Sequence, residues 1–319
     1  MAFKVLIPKD VRAAGKQYLI DHGCEITVGD GSGHIDLDTV GEYDGILVRT
    51  GTYITEEVLS AAKKLKVVSA HGVGVENVDL PACKAHGVVV TNAPTANVNA
   101  VAEYTILMML QIAKNTYQVE KKWRCPENDY NTRDTICGVE LEGKTLGVVG
   151  NGHIGRLVAG KAMRGFGMKI VVYDVIPIPP ERREPDITYV DTIDELLAMA
   201  DFVTLHVPLL ESTHHMVNMD FFKKMKKTAC ILSAARGGVI DEEDLYDALT
   251  QGVIAGAALD VFEAEPHVWP NKLFELDNVI VSPHIAGMTK ESLDRVATHA
   301  AMGIVDVLTG KEPQWPVRM

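Results

Sequence analysis

The chain has 319 residues, 47% of them hydrophobic, and its 31 basic and 43 acidic side chains give a formal net charge of −12. This length and apolar fraction can supply a sizeable core and predict two domains. Because the chain is acidic and has no clustered basic residues, nucleic acid is excluded as an expected partner.

The cysteines and the apolar stretches indicate where in the cell the protein is expected. Five scattered cysteines without a CxxC pair indicate reduced thiols in a cytoplasmic protein. The N terminus enters a predicted strand directly, which argues against a signal sequence. The longest apolar stretch, around residues 105–110, is interrupted by Glu103 and Lys114, so we expect no membrane segment. No cluster has metal-ligand spacing, so we expect no metal.

In the first hundred residues, short runs of β-forming residues alternate with helical patterns. We predict strands at 4–7, 25–28, 45–48, 66–68 and 87–90. Such alternation is typical of a parallel sheet in an α/β domain. A long helical pattern then covers residues 99–122 and is predicted to cross into a second domain.

A second series of strands follows residue 143. The predicted strands are 145–149, 169–173, 202–205, 229–232, 256–259 and 279–281. Six strands match the size of a full Rossmann sheet. A final helix, capped by Thr289 and ending at Gly310, is predicted to return the chain to the first domain.

A glycine-rich turn, Gly150-Asn151-Gly152-His153-Ile154-Gly155, follows the first strand of this second series. Its three glycines allow a tight turn, a close approach of the backbone to a pyrophosphate, and close packing of the next helix on the sheet. Asp174, at the end of the following strand, is placed to accept hydrogen bonds from an adenosine ribose. Its charge would repel a 2′-phosphate, so NAD is favoured over NADP, and Arg182 and Arg183 are interpreted as surface residues.

These patterns predict an α/β fold of two Rossmann-like, doubly wound parallel-sheet domains, with a ligand cleft between them and two crossings of the chain. Residues 1–98 and 289–319 form the predicted substrate-binding domain, and residues 99–288 the predicted NAD-binding domain. Ligands of such folds bind at the carboxyl ends of the strands.

Three polar residues follow strands of the second series, namely Arg236, Glu265 and His284. A nicotinamide reaction on a hydroxy acid needs a cation for the substrate carboxylate, a group near neutral pKa that exchanges the hydroxyl proton, and a carboxylate that orients this group. Arginine, histidine and glutamate have these properties.

Together with the glycine turn, the segments 201–209, 235–241, 258–266 and 283–287 resemble the D-isomer-specific 2-hydroxyacid dehydrogenase family. The resemblance covers nearly the whole chain: residues 72–79 are similar to the family's substrate loop, and residues 92–94 with 101–103 to its hinge. It implies that His284 is the acid or base, that Glu265 hydrogen-bonds it, and that Arg236 holds the substrate. An adjacent carboxylate should raise the pKa of the histidine.

The resemblance also implies cofactor and substrate contacts. Asp260 would contact the nicotinamide amide. Besides Gly150, Gly152, Gly155 and Asp174, the cofactor set comprises His153, Ile154, His206, Pro208, Ala234 and Gly287. The substrate set comprises Arg49, His71, Gly72, Val73 and Gly74, with backbone N–H groups of residues 72–74 offered to the substrate carboxylate.

Several positions leave alternatives open. Arg49 resembles a position that meets a substrate phosphate in phosphoglycerate dehydrogenase-like members, and it is equally compatible with a surface ion pair. The chain departs from the family pattern at Ser233, His71 and Glu76. His71 either reshapes the substrate pocket, brings charge to it, or merely caps a strand.

We therefore expect an NAD-dependent oxidoreductase acting on a small D-2-hydroxy acid, with hydroxypyruvate or glyoxylate as the favoured keto acid. D-3-phosphoglycerate dehydrogenase is the alternative, and an NADH-sensing corepressor-like binding protein is the alternative of another class. Formate dehydrogenase is disfavoured, because that branch has a glutamine where this chain has Glu265. By resemblance, we expect a homodimer formed through the nucleotide domain and the helix at 99–122.

Overall fold

The structure is a computed structural model that describes residues 2–125, 130, 134–266 and 268–318. Contacts within it divide the chain into two compact units, which we call unit 1 (Met1–Val98 with Met288–Met319) and unit 2 (Asn99–Gly287). Each unit is built around one parallel sheet.

The strands in chain order are β1 (Phe3–Ile7), β2 (Cys24–Val28), β3 (Gly45–Val48), β4 (Val67–Ala70), β5 (Val89–Thr91), β6 (Thr145–Val149), β7 (Lys169–Tyr173), β8 (Ile187–Tyr189), β9 (Phe202–Leu205), β10 (Cys230–Ser233), β11 (Gly256–Leu259) and β12 (Val279–Val281). The helices are α1 (Ala13–Asp21), α2 (Glu56–Ala61), α3 (Leu80–Ala85), α4 (Val98–Ala113), α5 (Thr116–Trp123), α6 (His153–Phe166), α7 (Ile193–Met199), α8 (Met219–Phe222), α9 (Glu242–Thr250) and α10 (Lys290–Leu308). Short 3-10 turns lie at Val40–Glu42, Pro180–Arg182, Gly237–Val239 and Lys272–Glu275.

The sheet of unit 1 has the order β2-β1-β3-β4-β5, and all its pairings are parallel. This is the order of flavodoxin-like doubly wound sheets, in which the winding reverses between β1 and β3. Helices α1 and α10 pack on one face of the sheet, and α2 and α3 pack on the other. The five predicted strands are confirmed, with boundaries that differ by at most two residues.

The sheet of unit 2 has the order β12-β11-β10-β9-β6-β7-β8, again with parallel pairings throughout. Counted within the unit, its strands follow the Rossmann order 3-2-1-4-5-6 with a seventh strand added, and the winding reverses between β6 and β9. Helices α4 and α6 cover one face, and α7, α8 and α9 cover the other. The predicted α/β fold of two parallel-sheet domains is confirmed.

Two predictions about elements need correction. The second sheet has seven strands, not six, because β8 was missed; it is a partly buried edge strand of three residues, too short to show a pattern. The predicted helix at 99–122 is two helices, α4 and α5. Between them Asn115 takes a left-handed conformation with a φ of 51°, which asparagine tolerates better than most residues.

The last helix follows its prediction closely. The side-chain oxygen of Thr289 accepts a hydrogen bond from the N–H of Ser292 at 3.1 Å, which caps the start of α10. Gly310, with a φ of 75°, lies just beyond its end. The buried face of α10 packs on the sheet of unit 1.

Candidate active site

The glycine turn connects β6 to α6. Gly150 has a φ of 95°, and a Cβ atom there would lie 2.5 Å from the carbonyl oxygen of His206. A Cβ atom at Gly155 would overlap with the carbonyl oxygen of Gly150. By contrast, Gly152 is the N-cap of α6, and in the part of the chain that the structure describes no atom other than those of its chain neighbours lies within 4 Å of the position that its Cβ would take. Two of the glycines are therefore required by the packing of the chain itself, whereas the third leaves open space.

That open space fits an anionic ligand group. It lies at the N terminus of a helix of 14 residues, where the first N–H groups have no partner within the helix. His153 and Ile154 are the first residues of this helix, one exposed and one half-buried. The turn therefore has the two properties that a pyrophosphate requires, which are room for close approach and N–H donors.

Asp174 follows β7 and is tied to the glycine turn. Its Oδ2 atom accepts a hydrogen bond from the N–H of Asn151 at 2.6 Å, and its Oδ1 atom accepts one from the N–H of Ile176 at 2.9 Å. Asp174, the carboxylate predicted to bind the ribose, thus also fixes the glycine turn. Arg183 is held locally, since its Nε donates to the carbonyl oxygen of Ile178 at 3.0 Å.

The remaining predicted cofactor residues follow β9, β10 and β12. The backbone N–H of His206 donates to the carbonyl oxygen of Val149 at 2.8 Å, and burial lowers the pKa of His206 to about 4. The carbonyl oxygen of Pro208 accepts a hydrogen bond from Thr213 at 2.7 Å. Ala234 and Gly287 are half-buried. At neutral pH His206 is therefore an uncharged group next to the glycine turn.

Arg236, Glu265 and His284 follow β10, β11 and β12, which are neighbours in the sheet. Because the strands are parallel, the three segments begin along the same edge of the sheet, namely the one formed by the carboxyl ends of the strands. The glycine turn after β6 leaves this edge as well. The sheet therefore brings the predicted catalytic segments and the predicted cofactor turn to one edge of unit 2.

His284 and Glu265 form a close ion pair. The Nδ1 atom of His284 lies 2.6 Å from Oε2 of Glu265. This hydrogen bond raises the pKa of His284 above its ordinary value, against the opposing effect of burial. Burial raises the pKa of Glu265, but the hydrogen bonds from His284 and from the N–H of Phe262, with the nearby positive charges, outweigh it and hold that pKa below its ordinary value.

Arg236 lies within electrostatic reach of this pair. Its positive charge contributes to lowering the pKa of Glu265 and opposes the raised pKa of His284. The Nη1 atom donates to the carbonyl oxygen of Ala235 at 2.8 Å. The cluster thus combines a guanidinium, a carboxylate and an imidazole that favours its protonated form.

Asp260 has a structural role that the sequence did not predict. It is fully buried, and its carboxylate accepts hydrogen bonds from the hydroxyl of Ser282 (2.6 Å) and from the N–H groups of Ile285 (2.9 Å) and Ala286 (2.8 Å). Between these donors, His284 takes a left-handed conformation with a φ of 53°. Asp260 therefore anchors the loop that presents His284. Its position at the end of a buried strand was visible in the sequence, but its partners were not.

In unit 1, Arg49 and His71 follow β3 and β4. The Nη1 atom of Arg49 donates to the carbonyl oxygen of Asp10 at 2.6 Å. Burial, and then the charge of Arg49, lower the pKa of His71 to about 4. Its Nε2 atom is buried and has no hydrogen-bond partner among the residues that the structure describes. The lowered pKa favours the neutral form of His71 near neutral pH.

The predicted substrate loop follows directly. Gly72 has a φ of 149°, and its N–H donates to the carbonyl oxygen of Ala70 at 2.9 Å. The carbonyl oxygen of Val73 accepts a hydrogen bond from Nδ2 of Asn92 at 2.8 Å. The carboxylate of Glu76 lies against Gly74. The loop is thus held by contacts within the chain, and the N–H of Gly72 is used internally.

With this geometry in place, comparison with known proteins identifies the family. Residues 106–286 match the sequence model of the D-isomer specific 2-hydroxyacid dehydrogenase family, NAD binding domain. The chain belongs to this family. The matched region lies within unit 2 and contains the glycine turn and all three segments at the sheet edge. Most of unit 2 therefore matches the sequence model of the family's NAD binding domain.

Relatives of two kinds are similar to the chain. A D-3-phosphoglycerate dehydrogenase of Methanocaldococcus jannaschii is 44% identical over 284 residues, which cover 89% of this chain and 53% of the relative. A glyoxylate reductase of Thermofilum pendens is 39% identical over 288 residues, which cover 87% of this chain and 82% of the relative. The chain thus spans about half the length of the phosphoglycerate dehydrogenases that it matches.

A solved structure shares the fold along the whole chain. The crystal structure of a protein from Thermus thermophilus has a TM-score of 0.89 and 33% identity, and it covers 99% of this chain and 100% of its own. Among the residues that the structure describes, none of the helices has the length and apolar composition needed to cross a membrane. Within the same residues, no group of histidine, cysteine and acidic side chains is arranged to hold a metal ion.

Proposed function

We propose that the chain is an NAD-dependent dehydrogenase that interconverts a small D-2-hydroxy acid and its 2-keto acid. The observation that carries this proposal is the pair of His284 and Glu265, 2.6 Å apart, at the sheet edge that also bears the glycine turn. Such a pair supplies a proton donor that works near neutral pH. Membership of the family supports the same reaction class.

His284 exchanges the proton in this proposal. Its Nδ1 is engaged by Glu265, so Nε2 is the nitrogen that gives a proton to the carbonyl oxygen of the keto acid as that oxygen becomes a hydroxyl. In the opposite direction the neutral ring takes the proton back. Because the pKa of His284 is raised, the donor form persists at higher pH than in an ordinary histidine. Bound NADH supplies the hydride for reduction.

Arg236 binds the substrate in this proposal. Its planar guanidinium offers paired N–H donors that match a carboxylate, and a 2-keto acid presents a carboxylate beside the reacting carbonyl. In unit 1, we propose that Arg49, His71 and the loop Gly72-Val73-Gly74 also bind the substrate. Their positions after β3 and β4, at the carboxyl edge of a doubly wound sheet, support this assignment.

The chain's own residues would hold NAD at the glycine turn. Gly150, Gly152 and Gly155 shape the turn, and the open space at Gly152 with the start of α6 suits the pyrophosphate. Asp174 would accept hydrogen bonds from the ribose and disfavour NADP. We propose that the rest of the groove is formed by His153, Ile154, His206, Pro208, Ala234, Asp260 and Gly287.

We favour glyoxylate or hydroxypyruvate as the keto acid. The glyoxylate reductase of Thermofilum pendens, 39% identical over 288 residues, supports a small keto acid. 3-Phosphoglycerate is the second candidate, supported by 44% identity to the phosphoglycerate dehydrogenase of Methanocaldococcus jannaschii and by the cation at Arg49.

We also propose that the protein is a cytoplasmic homodimer. Apolar side chains exposed on α4 and α5 support the dimer, and these are Leu107, Tyr117, Val119 and Trp123. All five cysteines are free thiols, which supports a reducing compartment.

The proposal is tested by following NADH oxidation with glyoxylate, hydroxypyruvate, pyruvate and branched 2-keto acids. In the opposite direction, NAD reduction is followed with 3-phosphoglycerate. We expect turnover of glyoxylate or hydroxypyruvate, and loss of that turnover in Arg236→Ala. NADH binding without turnover of any of these acids would instead indicate a binding protein related to the NADH-sensing corepressors.

A further inference from the structure

His215 contacts two segments of unit 2 that the proposed chemistry uses. It lies between β9 and α8, and its Nδ1 is 3.3 Å from Oδ2 of Asp241 while its Nε2 is 2.9 Å from Oε1 of Glu263. Asp241 belongs to the segment after β10 that carries Arg236. Glu263 belongs to the segment after β11 that carries Glu265. One imidazole therefore lies within ion-pair distance of both segments; these are contacts by distance, since Nε2 makes no hydrogen bond among the residues that the structure describes.

The position of this imidazole is fixed from several sides. The backbone N–H of His215 donates to the carbonyl oxygen of Gly238 at 2.9 Å, and its carbonyl oxygen accepts a hydrogen bond from Nδ2 of Asn218 at 3.1 Å. The ring stacks on His214, with 4.0 Å between the ring centroids. His215 also has a φ of 50°, an uncommon value for a residue other than glycine. The fold thus tolerates an unfavourable backbone conformation to keep the ring here.

The two bridged segments also pack directly on each other. A Cβ atom at Gly237 would overlap with the carbonyl oxygen of Phe262, so the backbones are in contact there. The N–H of Glu242 donates to Oε1 of Glu263 at 3.2 Å, and the N–H of Glu263 donates to Oε1 of Glu242 at 2.7 Å. Carboxylates of both segments therefore meet at this junction, next to the imidazole.

We propose that His215 is a positioning residue of the active site, which holds the Arg236 and Glu265 segments in register by bridging Asp241 and Glu263. The ring of His215 lies between a carboxylate of each segment, 3.3 Å from Oδ2 of Asp241 and 2.9 Å from Oε1 of Glu263, so its position sets the spacing of the two segments. This inference rests on the proposed function, because it assigns a supporting part for the same site.

A short path connects this bridge to His284. Glu263 is two residues from Glu265, and the N–H of Phe262 donates to Oε1 of Glu265 at 3.1 Å. The other oxygen of Glu265 holds Nδ1 of His284. If Glu263 shifts, the carboxylate that orients His284 shifts with it, and a displacement of about 1 Å at an active site costs up to about 100-fold in rate.

The test replaces His215→Asn, since asparagine tolerates a positive φ but cannot reach both carboxylates. His214→Asn, the stacked neighbour, is the matched control. We expect kcat for keto-acid reduction to fall about 10-fold in His215→Asn, with an unchanged dissociation constant for NADH. In His214→Asn we expect a much smaller change, because only the stacking is lost and the backbone hydrogen bonds and both carboxylate contacts of His215 remain. An unchanged kcat in His215→Asn would overturn the inference.

If His215→Asn folds poorly, the inference can still be tested with Glu263→Gln and with the double variant. Glu263→Gln removes the same ion pair from the other side and should lower kcat by a similar factor. The double variant should lose little more than either single variant, because both remove one interaction. Multiplicative losses in the double variant would show that the two residues act separately, against the inference.

A readout without turnover separates this inference from the proposed function. Histidine-labelled protein allows the pKa of His284 to be measured by NMR titration. We expect it to fall toward its ordinary value in His215→Asn, as the contact with Glu265 is weakened, and to remain raised in His214→Asn. A wild type that turns over no keto acid would refute the proposed function alone, and an unchanged pKa of His284 in His215→Asn would refute the positioning role alone.

Discussion

Two histidines that follow strands, one in each unit, have pKa values shifted in opposite directions. His71 follows β4 in unit 1, and burial together with the charge of Arg49 lowers its pKa to about 4. His284 follows β12 in unit 2, and its hydrogen bond to Glu265 raises its pKa. The residue type and its place after a parallel strand are the same, but the neighbouring charge has the opposite sign.

This difference shows what a position at a strand end does and does not determine. The sheet brings both histidines to an edge where ligands of such folds bind. The charge of each ring depends on its immediate neighbours, which are a guanidinium and burial for His71 and a carboxylate for His284. Only the pKa of His284 is shifted in the direction that favours proton donation near neutral pH, so we expect the two residues to respond differently to substitution.

The largest expected effect is that of His284→Ala. Removal of a general acid typically lowers turnover by about 10²–10⁴-fold, so we expect kcat for keto-acid reduction to fall about 1000-fold. NADH affinity, measured by fluorescence titration, should change by less than about twofold, because the ring acts on the substrate oxygen. In His71→Ala we expect a smaller loss of kcat. Full activity of His284→Ala would refute its role in proton transfer.

The glycine turn allows a similar comparison between Gly155→Ala and Gly152→Ala. A Cβ atom at Gly155 would overlap with the carbonyl oxygen of Gly150, so we expect a loss of about 1–3 kcal/mol in the free energy of unfolding. Gly152 has open space around it and a φ of −74°, so Gly152→Ala should lower Tm less than Gly155→Ala does, and only through the weaker N-cap that alanine provides. Its methyl group would occupy the space proposed for the pyrophosphate, and NADH binding should weaken about 10-fold.

Equal effects of the two substitutions on Tm would contradict the assignment of the glycines. The measurements are thermal unfolding without cofactor and fluorescence titration with NADH. Because the first readout contains no cofactor, it tests the packing of the turn separately from its ligand.

Glu265→Gln tests the cause of the raised pKa of His284. Without the carboxylate, this pKa should fall, and the pH above which kcat for reduction declines should move to lower values. We expect little change in kcat at about pH 6 and a loss of about 10-fold at about pH 8. If kcat of Glu265→Gln declined at the same alkaline pH as kcat of the wild type, Glu265 would not be the cause of the raised pKa of His284.

The same pair affects stability in a defined pH range. His284 has a raised pKa in the folded chain, so its stabilising contribution is full below its ordinary value of 6.5 and is lost as the pH rises through the folded pKa. Glu265 has a lowered pKa, so its contribution is full above its ordinary value of 4.5 and is lost as the pH falls through the folded pKa. The stabilising effect of the pair is therefore greatest between about pH 4.5 and 6.5.

The local pattern of apolar residues was enough to predict most of the strands and helices. Strands with apolar runs, such as β6 and β7, were found with the same bounds as in the structure, because buried parallel strands are continuous apolar segments. The short edge strand β8 has no such run. The helical pattern continued across Asn115, where the backbone turns left-handed, because helix propensity is a weak signal at a single residue.

The candidate site was predicted as a set of residues but not as a set of contacts. Arg236, Glu265 and His284 were found because each follows a predicted strand and matches a family motif. The hydrogen bonds of Asp260 to the loop of His284, and the bridge formed by His215, join residues that are 22 to 48 positions apart in the chain. Such contacts depend on strand order and loop packing, which spacing alone does not give.

The smallest expected effect concerns the stability contribution of His71. Its pKa in the folded chain, about 4, lies below its ordinary value of 6.5, so between these values the unfolded chain binds more protons. The contribution of His71 to wild-type stability should therefore fall as the pH drops from 6.5 toward 4.

His71→Gln lacks this contribution. Between about pH 7.5 and 5 its free energy of unfolding should therefore fall less than that of the wild type, by on the order of 1 kcal/mol. Burial also lowers the pKa of His206, but His206 is present in both proteins, so the difference isolates His71. Parallel pH dependences of the two proteins in chemical unfolding would mean that His71 is not held neutral by the fold, and the contrast with His284 would be lost.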